Sequence, residues 1–395
     1  MRYLAIVLVS VALLSIGCGD DGGSDPKVPL SVPTGLLAQG SLGEIELTWE
    51  ASTGDGLDGY NIYRSADGVT FTKLNDVPVD ALEYQDTDVE DGVYYSYKIT
   101  AANGEESDFS AAVRQMHGTR LLESYQGWCT LEAGALNPFV VEDSVKIIDG
   151  DLEIEAGASL YVLDGAVVDV WTDTEGYNIT THVWGLLRVV ASPSDPATLT
   201  AHALVGSIPD GRGQLFRFYD EALDYNPADG SGCLIQNCTI DYLAQGDGAI
   251  RLYACSPRFY NCKISSNKAT GGSYLSINAG SAPIIEGCNI TRVTISISTD
   301  LRGTDALITK NFCRDSYYTL WLGPGGPGLV DPGQVVQNDF DGDRNGLYMF
   351  QVEAGDIPLA NNYWYGGLPD MVGGAGTPIF EPVLEAPPAD CGPTW

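Results

Sequence analysis

The 395-residue sequence predicts an all-β protein, with a small antiparallel sandwich followed by a solenoid of short strands. Glycine is abundant at 47 residues, above an average usage of about 7%, and this favours turn-rich β structure. Short runs in the first third of the chain alternate apolar and polar residues, as half-buried strands do. Beyond them, similar segments recur at intervals of roughly 25 residues, which indicates a repeat architecture.

The N-terminal segment has the pattern of an export signal. Residues 3–16 are apolar, too few to span a bilayer but typical of a signal peptide core. The Ser-Ile-Gly-Cys ending resembles the bacterial lipoprotein lipobox, which implies a signal peptide over 1–17, a lipidated Cys18 and a flexible tether over 18–31. Gly19 after the cysteine favours outer-membrane sorting. We expect an exported protein on the outer membrane or cell surface, attached only through this lipid; the alternative is a plain secretory signal with an incidental cysteine.

The charge balance limits the partners. The chain has 20 Lys and Arg against 53 Asp and Glu, for a formal net charge of −33. Phosphate binding needs clustered basic residues, so nucleic acid is not an expected partner. An acidic surface suits a cationic partner or a metal ion such as calcium.

Residues 32–117 carry the sandwich prediction. Three runs alternate apolar and polar side chains and are separated by Gly/Asp turns: residues 45–50, 59–65 and 93–101. Almost the whole segment resembles a fibronectin type III domain. The resemblance implies a core built on Trp49, Tyr60 and Tyr97. It also implies a spacer or binding module, with no catalysis.

The remainder, residues 119–395, carries the repeats. Four cysteines follow short strand-like runs at intervals of roughly 25 residues: Cys238, Cys262, Cys288 and Cys313. Further steps of similar length reach Asp339 and Asn362. We expect the cysteines to stack as buried rungs of successive coils, with the preceding Asn at the turn.

Two stretches show which solenoid this is. "DLEIEAGASLYVLDGAVVDV" and "NNYWYGG" resemble the entry coils and a late element of right-handed parallel β-helices of the pectate-lyase-like type. The full fold prediction is therefore a fibronectin type III β-sandwich followed by a right-handed parallel β-helix solenoid. The resemblance implies coils stacked about 4.8 Å apart.

The remaining cysteines raise the question of disulfides, because an exported chain can form them. Cys233 and Cys255 each precede a ladder cysteine by a few residues. We expect them to face each other across neighbouring coils and form the best disulfide candidate. The other cysteines are expected to stay mostly as buried thiols, because stacked parallel Cβ vectors lie too far apart for ideal geometry.

An acidic loop is the candidate metal site. Oxygen ligands recur at alternate positions of "NDFDGDRNG": Asp339, Asp341, Asp343 and Asn345. The pattern resembles the start of a calcium loop but departs from the EF-hand in its Gly position and in lacking the final Glu. Calcium is therefore the one cofactor considered, and a solvated turn between coils is the alternative.

An aromatic cluster is the candidate glycan contact, because exposed rings can stack on sugar faces. Its members lie on two segments about two coils apart: Tyr317, Tyr318, Trp321, Tyr363 and Trp364. The alternative is that part of this set fills the interior of the solenoid.

Two functions remain open on the sequence. Patterns that mark pectate lyases, polygalacturonases and pectin methylesterases are absent, and only three His occur in the chain. This favours a non-catalytic lipid-anchored surface protein, in which a fibronectin spacer presents a β-helix that binds a polysaccharide or surface protein, or serves as a scaffold. The alternative is a surface-anchored polysaccharide lyase or glycoside hydrolase acting in the β-helix groove.

Overall fold

The part of the chain that can be described consists almost entirely of strands and turns. The computed structural model describes residues 27–41, 44–90, 93–121, 124–134, 138–172, 180–203, 216–243, 246–266, 273–278, 280–299, 305–316, 320–324, 334–341, 347–349, 356–365, 367–368, 371–372 and 377–394. Every regular element within these ranges is a β-strand. None of them contains a helix long and apolar enough to cross a bilayer.

The first seven strands form two sheets. They are β1 Leu37–Ser41, β2 Glu44–Thr48, β3 Gly59–Ser65, β4 Thr72–Lys73, β5 Glu83–Asp86, β6 Tyr94–Ala102 and β7 Val113–Met116. One sheet has the order β1-β2-β5 and the other β4-β3-β6-β7. Trp49, Tyr60 and Tyr97 are all buried, and the Trp49 and Tyr60 rings meet edge to face at 5.3 Å. These are the aromatic residues that the sequence assigns to the core of the first domain.

The chain divides into two compact units whose limits differ from the predicted domain boundary near residue 118. Among the described residues, one unit comprises 27–37 together with 48–84 and 96–113. The other comprises 38–47, 85–95 and everything from 114 onward. The assignment of 32–117 and 119–395 to separate domains stays a prediction.

The rest of the chain coils through three long parallel sheets, called A, B and C. Sheet A contains Cys129–Leu131, Leu152–Ile154, Thr181–Val183, Phe216–Phe218, Gly246–Leu252, Ser273–Asn278, Val293–Thr299, Leu320–Pro324, Leu347–Met349 and Met371–Val372. Sheet B contains Thr119–Arg120, Phe139–Val141, Ser159–Val162, Leu186–Val190, Leu234–Gln236, Arg258–Tyr260, Ile284–Glu286, Leu307–Thr309 and Gln334–Val336.

Sheet C completes each coil. It contains Ser124–Gln126, Ser144–Ile148, Val167–Thr172, Ala197–Ala203, Cys238–Leu243, Lys263–Ser266, Asn289–Thr291, Phe312–Arg314, Asp339–Asp341 and Tyr363–Tyr365. A two-stranded parallel sheet of Asp356–Pro358 and Thr377–Ile379 lies outside these three. Each coil passes through sheets B, C and A in turn. Successive coils pair in register, apart from shifts between Ile240 and Leu243 and between Gly246 and Ile250.

In-register stacking explains the core. Alternate residues of a strand point to opposite faces, so equivalent residues of successive coils form inward columns. One sheet B column is entirely apolar and fully enclosed: Ile235, Phe259, Ile285, Ile308 and Val335. Each strand is too short to bury much surface by itself, and the stacked columns together form one continuous core.

The turn between sheets B and C explains the repeated Asn-Cys dipeptide. One residue per coil adopts a left-handed conformation there, with φ between 50° and 65°: Asn237, Asn261, Gly287, Lys310, Gln337 and Asn361. Asn and Gly tolerate this region best. The next residue points into the core, and this column runs Cys238, Cys262, Cys288, Asn311, Asn338 and Asn362.

The cysteine ladder is therefore one rung shorter than expected. Cys313 is buried, but its register partner is Ile290 and not Cys288. The coil that follows Cys288 is shorter, so Asn311 occupies the rung. Because coil lengths vary, the regular spacing of the cysteines assigned this rung to Cys313, which lies two residues beyond its actual position at Asn311.

The expected bridge between Cys233 and Cys255 is not formed, since both are buried free thiols. The Cys233 sulfur lies 3.4 Å from the Leu187 amide nitrogen and 3.7 Å from the Gly185 carbonyl oxygen. Burial raises the pKa of the Cys255 thiol and the neighbouring Cys233 adds to that rise, so the two cysteines lie near each other, as expected, without a bridge between them.

Candidate functional site

The outer face of sheet A concentrates polar and aromatic side chains. Its central column consists of register partners on successive strands: Glu153, His182, Arg217, Arg251, Ser276, Ser296 and Trp321. Two residues further along, Trp184, Tyr219 and Tyr253 follow the inward residues of three consecutive strands. The inward residues between the two columns are apolar, so the strand period alone brings these groups to one surface.

Three aromatic rings of this face stack across the coils. The Trp184 and Tyr219 rings lie 4.3 Å apart at an interplanar angle of 7°. Tyr219 and Tyr253 follow at 5.7 Å and 16°. The spacing is near the distance between paired strands. Since each ring covers its neighbour's face, the row presents ring edges and hydroxyl groups outward.

A chain of hydrogen bonds leads into this row. The Asp151 carboxylate accepts from His182 Nε2 at 3.0 Å, and the Tyr219 hydroxyl meets His182 Nδ1 at 2.9 Å. The other Asp151 oxygen accepts the Thr180 amide at 3.0 Å. Asp151 is only 7% exposed. Trp128, 59% exposed, is stacked near the His182 ring at 6.3 Å. The buried Asp151 carboxylate thus orients His182 by a hydrogen bond, and His182 is hydrogen-bonded in turn to the half-buried Tyr219 hydroxyl.

Two arginines lie side by side on this face. Arg217 and Arg251 are register partners on neighbouring strands, one coil apart. Both are half-buried, and Arg251 donates to the Tyr253 hydroxyl at 3.0 Å. They bring two positively charged side chains to neighbouring strands of this face.

A trough of about 270 Å³ continues from Arg251 across the next coils. It is lined by Arg251, Tyr253, Tyr274, Ser276, Asn278, Ser296 and Trp321. The Tyr274 and Trp321 rings are 5.7 Å apart and tilted by 50°, so they do not cover each other fully. The lining combines aromatic surface, neutral hydrogen-bonding groups and one positive charge.

Residues 227–363 match a family model described as "Right handed beta helix region". This part of the chain is a right-handed parallel β-helix. The match spans much of the region in which sheets A, B and C stack in register, and the trough lies within it.

Curated relatives match only short stretches. An amylopullulanase from Thermoanaerobacterium saccharolyticum is 38% identical over 93 residues, which is 23% of this chain and 7% of the relative. A poly(3-hydroxybutyrate) depolymerase from Delftia acidovorans is 35% identical over 112 residues, which is 28% of this chain and 21% of the relative. The chain thus spans about a fifth or less of the length of these relatives.

Solved structures with a resemblance to this chain include two of known type. An Fn3-like protein from Clostridium thermocellum is 32% identical and covers 22% of this chain and 94% of that chain, with a TM-score of 0.20. Pectate lyase Pel3 from Pectobacterium carotovorum is 11% identical and covers 82% of this chain and 90% of that chain, with a TM-score of 0.19.

The predicted glycan-contact residues separate in the β-helix. Trp321 lines the trough on sheet A. Tyr363 and Trp364 belong to sheet C. Trp364 is 3% exposed and packs on Phe340 and Phe380, with ring centroids at 4.8 and 5.5 Å. Trp364 is therefore a core residue, and its assignment to a glycan contact was wrong.

Two more of the predicted contacts, Tyr317 and Tyr318, lie outside the described residues. Trp321 and the Tyr363–Tyr365 strand are about two coils apart in sequence, but each coil crosses three sheets. Counting coils does not reveal which sheet a residue belongs to, so the segments were grouped together in error.

Asp339, the first of the four predicted calcium ligands, makes an ion pair within the fold. Asp339 is 2% exposed, and both of its carboxylate oxygens lie 2.8 Å from Arg314 Nη2. Asp339 therefore pairs with a cation of its own chain. Asp343 and Asn345 lie outside the described residues, as does the side chain of Asp341. Within the described ranges, no group of three or more His, Cys, Asp or Glu is arranged to hold a metal ion.

The sequence did contain a signal for the sheet A face. "HVW" at 182–184, "RFY" at 217–219 and "RLY" at 251–253 each place a basic residue, an apolar residue and an aromatic residue in order. In a strand, the first and third side chains share the outer face. The triplets recur at intervals of 35 and 34 residues, so a search for a repeat of roughly 25 residues misses them.

Proposed function

We propose that this chain is an exported surface protein whose β-helix binds an acidic polysaccharide along the outer face of sheet A, with the fibronectin-type module as a spacer. The observation that carries the proposal is the placement of Arg217 and Arg251 as register partners on neighbouring strands, on the face that also carries aromatic rings and a polar trough. Guanidinium groups bind carboxylates and sulfates through paired hydrogen bonds.

The remaining groups favour a sugar chain over a compact anion. The trough offers the rings of Tyr274 and Trp321 together with the hydrogen-bonding side chains of Ser276, Asn278 and Ser296. Sugars present both apolar ring faces and hydroxyl groups, so they match such a lining. Because the lining residues come from several consecutive coils, the surface suits a ligand extended along the stack.

The test is a binding titration with the purified protein. Oligomers of polygalacturonate and alginate serve as acidic probes, and malto-oligosaccharides serve as the neutral match. We expect at least one acidic probe to bind and the neutral one to bind about tenfold more weakly or not at all. Arg251→Gln should weaken acidic binding about tenfold, the equivalent of one charge-assisted bond.

Arg120→Gln is the matched control. Arg120 is an exposed arginine on sheet B that pairs with the surface carboxylate of Asp143, and such pairs contribute little to stability. This variant should bind like the parent protein. Equal binding of neutral and acidic probes, with no effect of Arg251→Gln, would contradict the charge-based proposal. Absence of binding to every glycan would instead favour a protein partner.

We infer further that Cys18 is the lipidation site which holds the protein at the outer membrane or cell surface. The support is the lipobox-like sequence before Cys18, which itself lies outside the described residues. Cells grown with labelled fatty acid should label the parent protein and not Cys18→Ser. Equal labelling of both would show that the anchor is elsewhere.

A further inference from the structure

We propose that Asp169, Thr200 and Asp241, on the outer face of sheet C, hold a divalent cation of calcium's class. The three residues are register partners on three successive strands of that sheet. The residues that precede them belong to the core: Val168, Leu199 and Ile240. Because side chains alternate along a strand, the three polar groups share the outer face. This surface is distinct from sheet A, and the inference does not depend on glycan binding.

The hydroxyl at the middle of this column is enclosed without a partner. Thr200 is only 5% exposed, and its Oγ1 makes no hydrogen bond within the described part of the chain. The same holds on the next strand, where Asp241 Oδ1 is enclosed and unpaired. Since paired strands lie about 4.8 Å apart, two unpaired oxygen atoms belong to neighbouring positions of one face. Enclosing such atoms costs free energy, and more so for a charged group.

A cation bound between these strands satisfies both oxygen atoms at once. Calcium takes oxygen ligands, about six to eight in all, and water fills the positions that the protein leaves open. Asp169 is the register partner of Thr200 on the side opposite to Asp241, so it brings a second carboxylate to the position. One hydroxyl flanked by two carboxylates offers three ligand side chains and two negative charges to one ion.

The lysine of this column does not satisfy the two oxygen atoms. Lys146 is exposed, and it is the register partner of Asp169 on the side away from Thr200. Two strand spacings, roughly 9.6 Å, separate its backbone from that of Thr200. Neither Thr200 Oγ1 nor Asp241 Oδ1 accepts a bond from it or from any other described group. An ion from solution is therefore the positive charge that fits this position.

An irregularity in strand register lies at the same place. Ile240 pairs with Ile264 in the following coil, whereas Leu243 pairs with Ser266. Two residues, Asp241 among them, therefore oppose one residue of the later strand, which is the arrangement of a β-bulge. Asp241 has no register partner in the following coil, so its carboxylate is not committed to a cross-strand pair there. Bulges re-aim side chains in this way next to functional sites.

The sequence carries no spacing signal for this site. Its members are 31 and 41 residues apart and come together only through strand register. The site also differs from a cluster of three His, Cys, Asp or Glu side chains, of which the described ranges contain none, because its middle ligand is a hydroxyl.

The experiment titrates calcium chloride into the full chain after bound metal has been removed with a chelator. Isothermal titration calorimetry measures the affinity, and thermal unfolding measures the effect on the fold. We expect calcium to bind and to raise the Tm by about 5 °C at saturation. Potassium chloride at equal ionic strength is the comparison, because any salt screens the repulsion within a chain of net charge −33. An equal shift with potassium chloride would overturn the site.

Substitutions that keep the size of the side chain locate the ion. Asp241→Asn removes one ligand charge and should weaken calcium affinity about 100-fold or more, whereas Thr200→Val removes a neutral ligand and should weaken it about tenfold. Thr198→Val is the matched control, because Thr198 lies on the same strand and the same face in the next column. Asp305→Asn removes an exposed charge away from the column. Both controls should bind calcium like the parent protein.

Unfolding in the presence of chelator tests the competing explanation, in which Thr200 simply donates a hydrogen bond to Asp241. In that case Thr200→Val lowers the Tm of the metal-free protein. A cation site predicts an unchanged or higher Tm, because the substitution removes an enclosed hydroxyl that has no partner. Absence of calcium binding by the parent protein would overturn the proposal. Full-strength binding by both Thr200→Val and Asp241→Asn would overturn it as well, because the ion would then lie elsewhere.

Discussion

At the scale of the residue, one position shows how two unlike side chains meet the same need. At the inward rung after the turn from sheet B to sheet C, Cys262 Sγ lies 3.3 Å from the Ile235 carbonyl oxygen and Cys288 Sγ lies 3.7 Å from that of Phe259. In the next coil Asn311 donates to the equivalent Ile285 carbonyl at 2.9 Å. Each side chain thus contacts a backbone carbonyl of the preceding coil from inside the solenoid.

Asn338 gives a direct test of this interpretation. It is fully buried, donates to the Ile308 carbonyl and the Asn362 side chain, and accepts from Asn311. Asn338→Ala leaves several buried polar groups unpaired and should lower the free energy of unfolding by about 2–3 kcal/mol or more. Asn338→Cys restores the side chain of the earlier rungs and should cost less than Asn338→Ala. Chemical denaturation monitored by circular dichroism measures both.

Asn289→Ala is the control for that comparison. Asn289 lies on a sheet C strand, is half-exposed, and accepts only a local bond from Thr291 among its described contacts. Its removal should change stability by a few tenths of a kcal/mol. If Asn338→Cys is as damaging as Asn338→Ala, the thiol does not substitute for the amide, and the shared role of the column is wrong.

At the scale of the element, the sequence predicted the strands and the turn but not their placement among the sheets. The Asn-Cys dipeptide marks a left-handed turn residue and an inward rung, and both are present at Asn237 and Cys238. Such features are local, because they depend on backbone conformation and side-chain alternation. Trp321 and Trp364 show the limit: both follow strand-like patterns, yet one lines an outer trough and the other fills the core.

The residues of the candidate site could not be found from their spacing in the sequence, because strand register brings them together. His182 and Asp151 are 31 residues apart in the sequence and meet because Glu153 and His182 are register partners. Register follows from the length of every intervening turn, and those lengths differ from coil to coil. A search for adjacent acidic residues instead emphasised Asp339, which Arg314 neutralises within the fold.

At the scale of the whole molecule, the interior of the β-helix contains many buried thiols that do not form disulfide bonds. All eight cysteines within the described residues are free, and seven of them are buried. Stacked rungs bring Cα atoms of neighbouring coils within reach, but parallel Cβ vectors keep the sulfur atoms poorly oriented for a bridge. The fold therefore owes its stability to continuous apolar columns and hydrogen-bonded rungs, with no covalent link between the described coils.

Those thiols should make the protein sensitive to alkali. Burial raises the pKa of Cys129 and of Cys233 to about 11 from an ordinary value of 9.0, and raises the pKa of Cys238 and Cys262 above that ordinary value as well. A raised thiol pKa means that the folded state holds protons which the unfolded chain releases. The contribution to stability is complete below about pH 9 and is lost as the pH rises toward the folded-state values, by about 1.4 kcal/mol per pH unit for each thiol.

Urea denaturation between pH 8 and 10.5 measures this dependence, and the double variant Cys238→Ala and Cys262→Ala provides the comparison. The variant loses buried volume and should be less stable at pH 8. Its stability should nevertheless fall less steeply with pH, because two of the thiols whose burial is linked to protonation are gone. A slope equal to that of the parent protein would mean that other groups, and not the thiol column, set the alkaline limit of the fold.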